Sequence, residues 1–209
     1  MIILHFWGNN VRSFRIESHY NVSMSTKTYD ETYISVDIET AGPNPSQYSL
    51  LSIGACLVMD PENNFYIELQ PVNDKMLPEA YAVHQLSLDD LKSNGVPPLE
   101  AMARFDSWLN GITPPGRKPV FVAFNAPFDW MFISDYFNRY LKFNPFGHAA
   151  LDIKAFYMGL HGSSWKDTAM NNVVQIYLEG KTISHNALED ARDQAQIFSR
   201  LYNEAKNRS

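Results

Sequence analysis

A chain of 209 residues with 45% hydrophobic content and a formal net charge of −6 can bury one sizeable core, which excludes a fibre or a disordered tail. No apolar run reaches the ~20 residues of a membrane-spanning helix, and residues 1–7 lack the basic flank and apolar length of an export signal. A soluble, cytoplasmic protein with no membrane partner is therefore expected. The acidic balance speaks against a broad basic face along a long duplex, yet carboxylates gathered around divalent cations would themselves push the charge negative, so short strand ends stay open as partners.

Residues 1–28 alternate apolar and polar pieces without a sustained period and read as an N-terminal arm, leaving residues 29–209 as one domain. Residues 33–39 alternate with period two, and further strands are predicted over 50–59 and 65–70, a three-strand antiparallel meander. Helices follow at about 78–86 and 97–109. Residues 119–124 form the short, almost wholly apolar run of a buried strand. Beyond it the pattern predicts a helix over 127–140, a short strand near 149–151, helices over 153–160 and 167–179, and a terminal helix over 187–206. The expected fold class is α/β: a mixed five-stranded sheet, meander first and parallel strands after, with helices on both faces. The single cysteine, Cys56, lies in an apolar run and is read as a buried residue without chemistry.

Side chains two apart on a strand share a face, so Asp37 and Glu39 project together while Val36 and Ile38 face the other way. Asp129 falls in the opening turn of the helix after the apolar strand, where Asn125 can cap and Pro127 suits the first turn. Asn186-Ala-Leu-Glu189 has the form of a capping box, which places His185 in the preceding loop and Asp190 just inside the helix. The inward face of that helix runs Ala187, Ala191, Gln194, Ala195, Phe198, Leu201 and Tyr202, and Asp190 lies within the stripe. A buried carboxylate there requires a cation beside it, a Lys, an Arg or a metal ion. Taken singly, Asp-x-Glu reads equally as a solvated strand face, Asp129 as a helix-dipole residue and His185 as a surface histidine. Jointly they favour a site for hard cations such as Mg²⁺ or Mn²⁺, because zinc calls for clustered His or Cys that the sequence lacks.

Val36-Asp-Ile-Glu-Thr40, Ala123-Phe-Asn-Ala-Pro-Phe-Asp129 and His185-Asn-Ala-Leu-Glu-Asp190 resemble, in order and separation, the three motifs of the DEDDh 3′-to-5′ exonucleases, which share a ribonuclease H-like fold. The resemblance spans residues 33–201 and implies a metal-dependent enzyme that hydrolyses the terminal phosphodiester of single-stranded DNA or RNA 3′ ends to nucleoside 5′-monophosphates. It implies two divalent cations, Mg²⁺ or Mn²⁺, bridged by Asp37, with Glu39 and Asp190 completing one and Asp129 supporting the other, and His185 as general base. Thr40 is placed against the terminal nucleotide, with His84 and Leu86 where relatives clasp sugar and base. A homodimer is among the implied states.

Stacking satisfies any base, and Phe128 beside Asp129 is the first candidate for it, ahead of Phe146, which reads more readily as core; Asn125 is counted with the substrate contacts. Arg139, Lys142, Lys154 and Lys166 could guide the strand backbone or simply be solvated. Asn144-Pro-Phe146 is similar to ribonuclease T, whereas Pro43 stands where an aromatic residue of that enzyme is expected. Two rival readings are an enzyme of the same chemistry that trims RNA or degrades short oligoribonucleotides, and a non-catalytic binding module of the same fold. The second normally lacks some ligands, and all five residues are present here.

Overall fold

The computed structural model describes residues 31–181 and 184–208, so the arm read at residues 1–28 lies outside the described part. Three strands open the chain, β1 (Thr32–Thr40), β2 (Leu50–Leu57) and β3 (Asp60–Glu68). Helices α1 (Pro78–His84), α2 (Leu88–Asn94) and α3 (Pro98–Ile112) precede β4 (Pro119–Ala123). Helix α4 (Pro127–Tyr136) runs on into a π-helical turn (Phe137–Leu141) before β5 (Ala150–Asp152). Helix α5 (Ile153–His161), a 3₁₀ turn (Trp165–Thr168), α6 (Met170–Tyr177) and α7 (Ala187–Asn207) complete it.

The five strands form one sheet in the order β3-β2-β1-β4-β5. β1–β2 and β2–β3 pair antiparallel, β1–β4 and β4–β5 parallel, so the meander and the parallel pairs stand as expected, with β1 central. β3 starts five residues before its predicted limit. As an edge strand it accepts Pro61 and the polar pair Asn63-Asn64, which read from sequence as turn residues. The sequence pattern predicts no helix at α2. It is seven residues long and buries only Leu91, too little for an apolar stripe; Ser87, whose hydroxyl caps the Asp90 amide, was its signal.

The period of two in β1 divides the interior. Ile34, Val36 and Ile38 point into a core closed by α3 and α4, where Phe105 packs among Phe65, Trp108, Phe137 and Phe146 with ring centroids 5.0–6.2 Å away. Phe146 is thus core. Tyr33 points the other way, into a core with Val122, Tyr157, Val174 and Phe198 from α5, α6 and α7, so helices cover both faces. Gly54, opposite Asp37 on β2, makes this second packing possible: a Cβ there would stand 2.1 Å from the Ala187 carbonyl carbon and 2.2 Å from the Leu188 nitrogen. Only glycine lets the first turn of α7 settle on the sheet beside Asp37. Cys56 lies beneath the same helix, its thiol donating to the Ala191 carbonyl at 3.6 Å, and burial pushes its pKa up to about 12. No helix among the described residues is long and apolar enough to cross a membrane.

Candidate active site

Asp37 and Glu39 project from β1 toward the start of α7. One carboxylate oxygen each from Asp37, Glu39 and Asp190 lies within 4.8 Å of the others. Asp129 falls outside that trio but lines the same cavity of about 270 Å³, together with His185, Phe124, Asn125, Phe128, Met170 and Gln194. The four carboxylates and the histidine therefore meet at one place, from three distant segments.

Among the described residues the charges bearing on Asp37 and Glu39 are those of carboxylates. Burial, then the charges of Asp129, Glu39 and Asp190, holds the Asp37 carboxyl well above the usual carboxylate range, against a lowering hydrogen bond from Gln194. Burial and the charges of Asp190 and Asp129 push Glu39 up to about 8. Asp129 is likewise pushed up to about 8 by burial, although backbone hydrogen bonds at Asp129 and Ile38 pull it down. Burial raises Asp190 too, opposed by hydrogen bonds from the Ser184 amide and hydroxyl at 3.3 and 3.1 Å. Among the described residues no ion pair joins Asp190 to a Lys or Arg, and the charge that lowers its pKa is that of His185; one turn along, Asp193 pairs with Lys181 at 2.7 Å. An all-oxygen donor set carrying uncompensated charge fits a hard divalent cation.

Two residues missed in the sequence hold the cluster. Gln194 donates to Asp37 Oδ1 at 2.6 Å and accepts from the Phe124 amide at 2.9 Å, tying α7 to β1 and to the end of β4. In the sequence Gln194 stands in the inward stripe, where a polar side chain needs a buried partner as Asp190 does. Asp152 caps α5 by accepting from the Lys154 amide at 3.0 Å, and the same oxygen accepts from the Asn125 and Ala126 amides at 3.0 and 3.4 Å. The cap is legible in the sequence; the bonds across to the β4–α4 loop are not.

Asn125 is not the cap of α4. Ala126 occupies that position without a side-chain cap bond, because Asn125 takes a left-handed conformation (φ 64°) and Asp152 reaches over to hold the loop amides instead. His185 is also left-handed (φ 54°), immediately before the α7 cap Asn186. Gln85 and Lys142, by contrast, are left-handed where they close helices. Asn125 and His185 precede helices and line the carboxylate cavity, a cost of about 1–2 kcal/mol for the histidine that the surroundings must sustain. The capping box is half formed: Asn186 accepts from the Leu188 and Glu189 amides, but the Glu189 side chain pairs with Arg192.

A second, more apolar cavity of about 330 Å³ adjoins the first, sharing Ile38, Glu39 and Phe128 and adding Thr40, Pro43, Leu77, Val83 and His84. His84 is buried. Its Nε2 donates to the Thr40 carbonyl at 3.2 Å while Nδ1 accepts from the Leu86 amide at 2.9 Å, which fixes the neutral tautomer, and burial lowers its pKa. Leu86 itself lines neither cavity; its side chain packs with Ala41, Leu51 and Leu91, and it reaches the site through that amide. Of the candidate guiding cations, Arg139 is engaged by Asp135 at 2.7 Å, whereas the Lys154 ammonium lies over the Trp165 ring.

A five-stranded mixed sheet with acidic residues on its central strand, after β4 and at the start of the last helix defines a ribonuclease H-like nuclease of the DEDDh class. The chain matches the RNase_T exonuclease family over residues 34–198 and belongs to it. It is 44% identical over 172 residues to the 3′-5′ DNA exonuclease Cap18 of Escherichia coli, covering 82% of this chain and 92% of that protein. It is 31% identical over 185 residues to ribonuclease T of Escherichia coli strain K12, covering 82% and 84%. The nuclease domain of 3′hExo, a DEDDh family member bound to rAMP, superposes with a TM-score of 0.68 at 12% identity, covering 85% of this chain and 94% of that one. The protein is a 3′-to-5′ exonuclease, a phosphodiester hydrolase of a divalent-metal-dependent family.

Proposed function

We propose that Asp37, Glu39, Asp129 and Asp190 hold two divalent cations, Mg²⁺ or Mn²⁺, and that the enzyme removes nucleoside 5′-monophosphates from single-stranded DNA 3′ ends. The observation that carries the reading is four carboxylates on one cavity with, among the described residues, only carboxylate charges acting on Asp37 and Glu39. Bound cations would supply Lewis acidity to the reacting phosphate and its attacking water. Asp37 is oriented for this by the Gln194 amide. His185, exposed at the cavity lip, takes the proton of the attacking water on an imidazole nitrogen. Phe128, shared by the two cavities, stacks on a base. The neighbouring pocket, with Thr40 and the neutral His84 at its wall, receives the terminal nucleoside, and the left-handed Asn125 presents its side chain to the strand. Leu86 serves by fixing the His84 ring.

The DNA preference rests on the 44% identical relative, named a DNA exonuclease; RNA, the substrate class in the name of ribonuclease T, is the second reading. End-labelled single-stranded DNA, single-stranded RNA and duplex, each with Mg²⁺, Mn²⁺ or chelator, test both. Stepwise shortening of DNA from the 3′ end, abolished by chelator, is expected; faster shortening of RNA would reverse the preference. In the same assay His185→Ala lowers the rate by ~10²–10⁴ and removes the limb of the pH–rate profile that a general base produces. An unchanged profile rejects that role. The homodimer implied by the family resemblance stays within this reading, and sedimentation at working concentration tests it.

A further inference from the structure

Trp165 opens the 3₁₀ turn between α5 and α6 and is 56% exposed, unusual for the largest apolar side chain. The turn beneath it is firmly built. Ser164 and Asp167 form a reciprocal capping box, and the Thr168 hydroxyl donates to the Trp165 carbonyl at 2.7 Å from a fully buried position. The ring is therefore held outward by a rigid support. Lys154 Nζ sits 4.2 Å from the ring centroid and, among the described residues, forms no ion pair, so a cation and an exposed aromatic ring are presented side by side.

Their position relates them to the carboxylate cavity in two independent ways. The Asp152 oxygen that caps Lys154 also holds the amides of Asn125 and Ala126, and Asn125 lines the cavity. Met170, five residues after Trp165, lines it too. The apolar pocket with Thr40 and His84 adjoins the same carboxylates through Ile38, Glu39 and Phe128, residues distinct from Asn125 and Met170. A strand whose last nucleoside occupies that pocket and whose scissile phosphate meets the carboxylates has the Phe124–Asn125–Met170 wall as its other border.

We propose that Trp165 and Lys154 form a platform for the single strand on the 5′ side of the scissile bond, the indole stacking on an upstream base and the ammonium meeting the adjacent phosphate. A stacked aromatic beside a cation suits single strands of any sequence, because every base has a π face and every residue a phosphate. The proposal rests on the exonuclease reading of the neighbouring cavity and adds to it a dependence on substrate length.

The test compares kcat/KM on a dinucleotide, too short to span both places, with that on single-stranded DNA of roughly 12 nucleotides. Trp165→Ala should lower the ratio of the long to the short substrate by about 5- to 100-fold, the range of one lost base–aromatic stack, and Trp165→Phe should restore most of it. Lys154→Gln should flatten the dependence of log affinity on log salt by about 0.7, one single-strand phosphate contact. An unchanged ratio in Trp165→Ala overturns the platform, as does an equal loss on both lengths, which marks a purely structural role. If the wild type releases no mononucleotide from either length, it is the catalytic reading that fails. Anisotropy of the labelled long strand with Ca²⁺ then reads the platform alone, and equal affinity of wild type and Trp165→Ala overturns it.

Discussion

The two faces of β1 obey opposite energetic logic. On one, Ile34, Val36 and Ile38 are sealed against α3 and α4 in an interior of stacked rings, where every contact lowers the free energy of the fold. On the other, Asp37 and Glu39 meet Asp190 from α7, three carboxylates closer together than their charges favour. One strand, nine residues long, thus carries a face optimised for burial and a face that is incomplete as protein alone. Stability and activity separate here: the apolar face anchors β1 in the core, while the acidic face gathers carboxyls whose pKa values burial and mutual charge push up.

Exchanging one carboxylate oxygen for an amide nitrogen on the acidic face separates the two faces most sharply. Asp37→Asn keeps the shape and the packing of the strand but removes a proposed metal ligand, so mononucleotide release should fall by on the order of 10²- to 10³-fold, the scale of a lost transition-state contact. The same change relieves repulsion with Glu39, Asp129 and Asp190, so the metal-free variant should melt at or above the temperature of the wild type. Retained activity, or a variant that fails to fold, would refute the division of labour. Phe105→Ala makes the opposite cut. It opens a cavity among Phe65, Trp108, Phe137 and Phe146 and should cost about 3–5 kcal/mol in chemical denaturation, with kcat of the folded fraction little changed. A fall in kcat as large as the fall in stability would mean that the two faces are not separable.

This division also explains what could be read from the sequence. The alternation of Tyr33 to Glu39 exposes both faces of β1 in one glance, and the apolar run of the buried strand, the Asp190 stripe position and the period of the last helix are all signals that burial enforces. Elements held by local hydrogen bonds are harder to read. Helix α2 has a cap and one buried leucine but no stripe, and the π-helical turn continues α4 without any change of composition. The supports of the site were hidden for another reason. Gly54 matters because α7 returns to it from more than a hundred residues away, and Asp152 and Gln194 act on loops and strands that only the fold brings near. The hints were an isolated glycine inside a strand, a capping Asp152 and a polar Gln194 in an apolar stripe.

The pH dependence is the effect most specific to the acidic face. In the metal-free protein Glu39 and Asp129 are both pushed up to about 8, against about 4 in an unfolded chain, so between those limits the folded state holds more protons than the unfolded state. Stability then falls as pH rises through the window, by about 1.4 kcal/mol per pH unit for each proton held in excess, because unfolding frees a carboxyl that ionises more easily. A divalent cation binds the folded, deprotonated site and competes with those protons, so its stabilising shift should be larger at the upper end of the window than at the lower. Thermal unfolding with chelator or Mg²⁺ across this range measures both slopes, and Phe105→Ala should lower every curve without changing its pH dependence. A Mg²⁺-induced shift that is the same at both ends would show that the buried carboxylates are not where the ion acts.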